Sequence, residues 1–321
     1  MAAEITRNVA RCAQVLRTGG LVAFATETVY GLGANALNPT AVAKIFAAKR
    51  RPEFDPLIVH VAEIGDIEPL AKTSHPLFET LSQQFWPGPL TLLLPKLDII
   101  PDLVTSGLPD VGIRIPANDV ARQLIKVAGV PVAAPSANLF GRTSPTTAAH
   151  VVEQLGESVD LVLDDGPCSV GVESTIVRMT GPSSLEVLRV GGTTLEMLQT
   201  VCSEVTVVSN LLDETAPAAP GQLASHYAPL TPIQIVNDWS TTDLPPCAAA
   251  LCFQQAPPDH ENLSIVEILS PDGSLVEATA NFFAALRRLD CPDIDVILAE
   301  RFPDRELGVA LNDRLRRAAT R

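Results

Sequence analysis

Basic charge is scarce in this sequence. Twenty-three lysines and arginines stand against 37 aspartates and glutamates, for a formal net charge of -14 and a pI near 4.7. That balance disfavours diffuse adhesion to RNA, DNA or anionic membrane and leaves room only for a local basic pocket. Long apolar runs are missing too: nothing approaches the roughly 18 residues that a membrane span needs, and Met1–Arg7 contains no continuous apolar segment. The expectation is a soluble, cytoplasmic protein without a membrane partner. The six cysteines (Cys12, Cys168, Cys202, Cys247, Cys252, Cys291) include no pair spaced like a metal knuckle or redox dithiol, so ordinary reduced thiols are expected. Five dispersed histidines argue against a structural zinc. There is no P-loop, no strand-to-helix GxGxxG and no GxSxG. Any nucleotide must therefore be held in another way.

What is present describes a folded α/β protein. With 321 residues, 46% of them hydrophobic and 19% charged, two domains are the natural expectation. Short β-rich runs alternate with helical patterns up to about residue 205. The strand candidates are Leu21–Phe24, Pro56–Val61, Val111–Ile115, Val130–Ala134, Leu161–Leu163, Thr175–Val177 and Leu185–Val190. Residues 208–230 read as a Pro/Ala-rich linker, which divides the chain into 1–207, 208–230 and a small α/β unit at 231–321. In that unit Ile233–Val236, Ala248–Phe253 and Asp295–Ala299 read as strands, and Phe282, Leu286 and Leu289 mark a helix. The terminal Asp313–Ala318 reads as a helix end whose arginines suit the dipole.

One helix is well signposted. Asn38 is a good N-cap, Pro39 fits the first helical position, and Pro52 forbids continuation past Arg51. Val42, Ile45 and Phe46 form its apolar stripe, and Lys49, seven residues after Val42, leaves on the inward side. A cation there needs an anionic partner.

Several segments could carry chemistry, each with a plainer alternative. Thr26-Glu27-Thr28-Val29-Tyr30-Gly31-Leu32-Gly33 places hydroxyls and glycines after a strand, either for a polar ligand or as an ordinary glycine-rich turn. Lys49 with Arg51 could grip adjacent phosphates or form a solvated helix terminus. Strand alternation puts Arg114 opposite Val111, Ile113 and Ile115, as an anion contact or an exposed arginine. Ala134-Pro135-Ser136-Ala137-Asn138 and Ser144-Pro145-Thr146 could bind ligand, or could form a strand-to-helix turn capped by Ser144 or Thr146. Glu173-Ser174-Thr175 and Arg189-Val190-Gly191-Gly192 repeat the theme. His60 is by default a satisfied core histidine. Trp86-Pro87-Gly88-Pro89 reads as a packing corner.

Taken together, Thr26–Gly33, Lys49 with Arg51, Phe85–Thr91, Ser136 with Asn138, Ser144–Thr146 and His226-Tyr227-Ala228-Pro229 resemble the YrdC-like threonylcarbamoyl-AMP synthases in their two-domain form. The resemblance is strong to about residue 192 and looser after 230. It implies a twisted, open mixed α/β sheet around a basic cavity, joined by a lid-like linker to a second, smaller α/β domain. The implied activity is nucleotidyl transfer: L-threonine, bicarbonate or CO2, and ATP with Mg2+ give threonylcarbamoyl-AMP and pyrophosphate, for a tRNA-modifying machinery downstream.

Residue by residue, the resemblance assigns Lys49, Arg51, Asp55, Asp110, Ser136, Asn138, Ser144, Arg189 and Tyr227 to ATP. Lys49 and Arg51 also stabilise the reacting charge. Thr28, His60, Arg114, the backbone of Ala134 and Ser174 are assigned to threonine, and Tyr227 with His226 closes the cavity. No residue is assigned to a metal. The sequence departs from the pattern at Ala25, where proline is usual, at Asp55 for asparagine and at Asp110 for threonine. The linker also lacks a lysine. An aspartate near a triphosphate repels it unless Mg2+ or an arginine intervenes. Two other readings compete: a double-stranded RNA-binding module, opposed by the net charge, and a carbamoyl-adenylate transferase, whose zinc-finger and acylphosphatase modules are absent.

Overall fold

The computed structural model describes residues 3–208, 220 and 225–320. The first domain runs β1 (Glu4–Thr6), α1 (Val9–Arg17), β2 (Val22–Phe24), β3 (Gly31–Asn35), α2 (Pro39–Lys49), β4 (Ile58–His60), α3 (Pro76–Phe85) and β5 (Leu90–Pro95). It continues with α4 (Asp102–Thr105), β6 (Asp110–Arg114), α5 (Asp119–Ala128), β7 (Val132–Ala133), α6 (Ala148–Leu155) and β8 (Leu161–Leu163). β9 (Thr175–Gly181), β10 (Ser184–Arg189), α7 (Leu195–Gln199) and β11 (Glu204–Val207) complete it. The strands form one 11-stranded mixed sheet in the order β1-β8-β2-β3-β7-β4-β6-β5-β9-β10-β11. β4 and β6 run parallel, whereas β3, β7 and β4 alternate in direction.

Helix α2 forms for the reasons its sequence gives. The Asn38 side chain accepts from the Thr40 and Ala41 amides, Pro39 opens the helix, and Arg50 ends it in the left-handed region at φ 53°. The stop comes just before Arg51, which leaves that side chain free to turn inward. Helix α6 is capped by Thr147, whose hydroxyl accepts from the His150 amide, rather than by Ser144 or Thr146. Ser144 is instead committed to a carboxylate.

The glycine segment after β2 is not a simple turn. Gly31 and Gly33 lie within strand β3, where a Cβ on Gly33 would meet Val132 Cγ1 at 2.7 Å and the Phe24 ring at 2.8 Å. Those glycines admit neighbouring side chains across the sheet.

The second domain contains β12 (Ile233–Val236), β13 (Ala248–Cys252), β14 (Ile265–Ile268), α8 (Leu275–Leu289), β15 (Val296–Glu300) and α9 (Leu307–Ala319). Its four strands are all parallel, in the order β12-β15-β13-β14. The expected Phe282, Leu286 and Leu289 stripe is buried on α8. The first domain has its own core, but the second domain's core is shared: Val29, Val172 and Tyr227 pack into the same buried cluster as Phe283 and Leu311. Most of the linker, including the Asp213–Ala219 stretch and Gly221-Gln222-Leu223, lies outside the described residues.

Candidate functional site

A cleft is lined from both sides of the sheet's centre and by the linker residues Pro220, His226 and Tyr227. Thr26 and Thr28 come from the β2–β3 connection, His60 from the end of β4 and Arg114 from the end of β6. Ala134 and Ser136 follow β7, Glu173 and Ser174 precede β9, and Arg189 ends β10. Arg51, Pro220, His226 and Tyr227 complete the wall. Short strands ending at one place aim side chains from distant sequence segments into one cavity, a common way for an α/β sheet to build a site.

The cations are held firmly. Arg114 donates Nη1 to Thr28 Oγ1 at 2.9 Å and Nε to the Gly88 carbonyl at 3.2 Å, and its Nη2 lies 2.6 Å from Glu27 Oε1. The packing corner at Trp86–Pro89 therefore also supports a site residue. Arg189 donates Nε and Nη2 to the Ser174 carbonyl and Nη1 to that of Pro220 at 3.0 Å. Its Nη2 also reaches Ser174 Oγ at 3.1 Å, and that hydroxyl bonds Thr91 at 2.8 Å. Arg51 donates to the Asp55 and Pro56 carbonyls and forms a 2.9 Å ion pair with Asp55 Oδ2.

Burial sets the protonation states. It pulls His60 down to about 3, with Arg114 adding to the effect, and pulls His226 well below its usual value, with Arg51 and Lys49 assisting. Both imidazoles are neutral at pH 7, and each Nδ1 is without a hydrogen-bond partner among the described residues. Burial also lowers Lys49 and raises Asp55 and Tyr227. Glu173 goes the other way: desolvation would raise it, but Arg314, Arg189 and the Ser144 hydrogen bond outweigh that and hold it low.

Of the residues singled out from sequence, Thr28, Arg51, His60, Arg114, Ala134, Ser136, Ser174, Arg189 and Tyr227 meet at this cleft. The Ala134 amide is spent on the Ile58 carbonyl at 2.9 Å. Lys49, Asp55, Asn138 and Ser144 are buried but are not among the cleft-lining residues. Lys49 does turn inward, yet its ammonium meets the carbonyls of Ser136 and Asn138 rather than an anion. Its partner is backbone dipole, the form of compensation that periodicity alone cannot specify. Asn138 Nδ2 donates to the Leu139 and Arg142 carbonyls, and Ser144 Oγ donates to Glu173 Oε1 at 2.6 Å. Asp110 faces Arg178 at 3.8 Å and borders a smaller pocket with Gly112, Ile176 and Pro220. Each unusual aspartate thus has an arginine beside it.

Two residues escaped sequence reasoning. Glu173 was passed over in favour of its neighbour Ser174. The sequence suggests that Arg314 complements a helix dipole, but it is fully buried and crosses to the first domain. The signal was available: Arg314 falls between Leu311 and Leu315 on the apolar stripe of α9, as Lys49 does on α2. His226 lies edge-on to Tyr227 with ring centroids 4.1 Å apart, and Tyr227 takes a left-handed φ of 66°.

This arrangement of both domains has counterparts. Residues 14–191 match the Sua5/YciO/YrdC family, described as telomere recombination, and residues 193–320 match the threonylcarbamoyl-AMP synthase C-terminal domain. The chain belongs to the Sua5/YciO/YrdC family. It is similar to a threonylcarbamoyl-AMP synthase from Pyrococcus abyssi, 40% identical over 95% of this chain and 92% of that protein. It is also similar to one from Bacillus subtilis, 39% identical over 97% and 92%. A crystal structure of P. abyssi Sua5 complexed with L-threonine superposes with a TM-score of 0.88, at 36% identity, covering 99% of this chain and 97% of that one.

Proposed function

We propose that this member of the family makes threonylcarbamoyl-AMP and pyrophosphate from L-threonine, bicarbonate or CO2, and ATP. The observation that carries the reading is similarity to named synthases along nearly the whole chain, through both domains. The cleft's chemistry agrees with it. A deprotonated threonine amine and CO2 give a carbamate, whose oxygen attacks the α-phosphate of ATP and displaces pyrophosphate. Negative charge gathers on the phosphates, so Arg51 and Arg189 at the cleft wall stabilise it and Lys49 adds its charge from behind. Arg114 and the hydroxyls of Thr28 and Ser174 suit the carboxylate and hydroxyl of threonine. Neutral His60 offers an uncharged polar edge there. No covalent bond to the protein is required; positioning the carbamate in line and excluding water do the rest.

Magnesium enters this proposal as part of Mg-ATP. Among the described residues no group of three His, Cys, Asp or Glu side chains could hold a metal. The site's carboxylates are already committed, Glu173 to Ser144 and Arg314, and Asp55 to Arg51. The phosphates would be the magnesium ligands, with charge neutralisation as the chemistry supplied.

The product would pass to a tRNA-modifying partner, in keeping with a cytoplasmic location; no described helix is long and apolar enough to cross a membrane. The family match through both domains favours this activity over the RNA-binding and carbamoyl-adenylate alternatives. The test is pyrophosphate release from ATP, which should require threonine and bicarbonate together. Serine, lacking the methyl, should be discriminated by roughly 1 to 3 kcal/mol. Equal release with serine or glycine would remove the threonine assignment.

A further inference from the structure

The fully buried guanidinium of Arg314 comes from the last helix, yet its contacts serve the cleft. Nε donates to Glu173 Oε2 at 2.8 Å, Nη2 to the Val190 carbonyl at 3.0 Å and Nη1 to Asp313 Oδ2 at 2.7 Å. Its Cζ lies 4.9 Å from the centroid of the Tyr227 ring. Glu173 and Tyr227 both line the cleft. One side chain of the second domain thus holds a carboxylate of the first domain and the face of an aromatic wall.

A carboxylate in the wall of a cavity that takes a triphosphate is a liability. Like charges in a desolvated cleft repel far more strongly than in water. The second oxygen of Glu173 accepts from Ser144, so the carboxylate is fixed in place and cannot swing away without breaking that bond. Arg314 supplies a compensating charge from behind. It also stacks on the Tyr227 ring.

We infer that Arg314 is a positioning residue for ATP, neutralising Glu173 and seating Tyr227, so that the second domain sets how tightly nucleotide is held. The inference rests on ATP being a substrate, as proposed above. The domain contact does not depend on Arg314 alone, since Arg287 of α8 donates to the Thr143 carbonyl at 2.6 Å and lies 3.3 Å from Glu153. Removing Arg314 therefore disturbs the site without detaching the domain.

The experiment compares full-length wild type with Arg314→Met, Arg314→Lys and the double variant Arg314→Met/Glu173→Gln. It reads ATP binding by calorimetry, KM and kcat by pyrophosphate release, and folding by melting temperature. Arg314→Met should weaken ATP binding and raise KM for ATP about tenfold, with a smaller change for threonine, because an unpaired buried carboxylate then faces the phosphates. Arg314→Lys keeps the charge and should stay near wild type in KM for ATP. The double variant removes both charges, so it should fold and recover ATP binding relative to Arg314→Met. A structural role alone would lower the active fraction and apparent kcat while leaving both KM values unchanged. Unchanged ATP binding in Arg314→Met, or no recovery in the double variant, would overturn the inference. Wild type that binds ATP but releases no threonine-dependent pyrophosphate would overturn the functional reading instead, and the binding comparison would still decide the role of Arg314.

Discussion

Lys49 shows how far a single residue can be followed from sequence and where the trail stops. Helical spacing placed its ammonium inward, and the structure agrees, but the carbonyls that receive it come from residues 136 and 138, nearly ninety positions away. No local pattern encodes that meeting. Lys49→Met keeps most of the stem and removes the charge. Turnover should fall on the order of 100-fold if the cation stabilises developing phosphate charge. The urea midpoint should shift little, because relief of the buried ammonium's desolvation offsets the lost bonds; a large loss of stability with normal kcat would show the role to be structural. The buried histidines give a second residue-scale test. His60 titrates at about 3 in the folded chain, against 6.5 when unfolded, and His226 is also strongly depressed. The unfolded chain takes up protons that the folded chain refuses, so stability is full above pH 6.5 and falls as the pH drops toward 3. The expected slope is about 1.4 kcal/mol per pH unit for each such histidine. The raised carboxyl of Asp55 acts in the opposite sense. Urea titrations between pH 7 and pH 5 should show the decline, and His60→Gln should make it shallower; an unchanged slope would mean that His60 is not held neutral.

At the scale of elements, caps and apolar stripes were legible because they are local. Asn38 and Pro39 define α2, and Phe282 with Leu286 defines α8. The central strand β3 was not legible, since Gly-Leu-Gly-Ala-Asn carries neither β-branched residues nor alternation. Its assignment follows from what lies beside it. The short strands β4 and β7 do fall within the expected Pro56–Val61 and Val130–Ala134, but their order in the sheet is a tertiary property. The same crowding makes a prediction. Gly33→Ala would press a methyl against Phe24 and Val132, for which the expected cost is about 1–3 kcal/mol. Phe24 stands edge-on to His60 with centroids 6.1 Å apart, so the strain should reach the cleft and raise KM for the substrate that His60 faces. A variant with wild-type melting temperature and kinetics would show that this part of the sheet has slack.

Across the whole molecule, the division into domains is visible in the sheets and is crossed by one buried cluster. The strands up to Val207 form the 11-stranded sheet and those from Ile233 the four-stranded one, while the two family matches meet between residues 191 and 193. Yet Val29 and Val172 of the first domain, with Tyr227, are buried against α8 and α9, and Glu173 finds its cation on α9. The contacts of Val29, Val172 and Glu173 join residues more than a hundred positions apart, which is why the site's framework was readable in the motifs while its dependence on the last helix was not. A chain ending at Val207 should therefore behave as more than a domain relieved of a tether. It loses the apolar cover of Val29 and Val172 and leaves Glu173 buried beside Ser144 without Arg314, a cost of roughly 3–5 kcal/mol when one partner of a buried pair is removed. The fragment should melt well below the full chain and hold ATP poorly. Adding Glu173→Gln to the fragment separates the two losses, since it removes the stranded charge without restoring the apolar cover. Melting temperature should then recover in part while turnover stays low for want of Tyr227. Full activity and unchanged stability in the simple fragment would mean that the two domains are energetically independent despite the buried cluster they share.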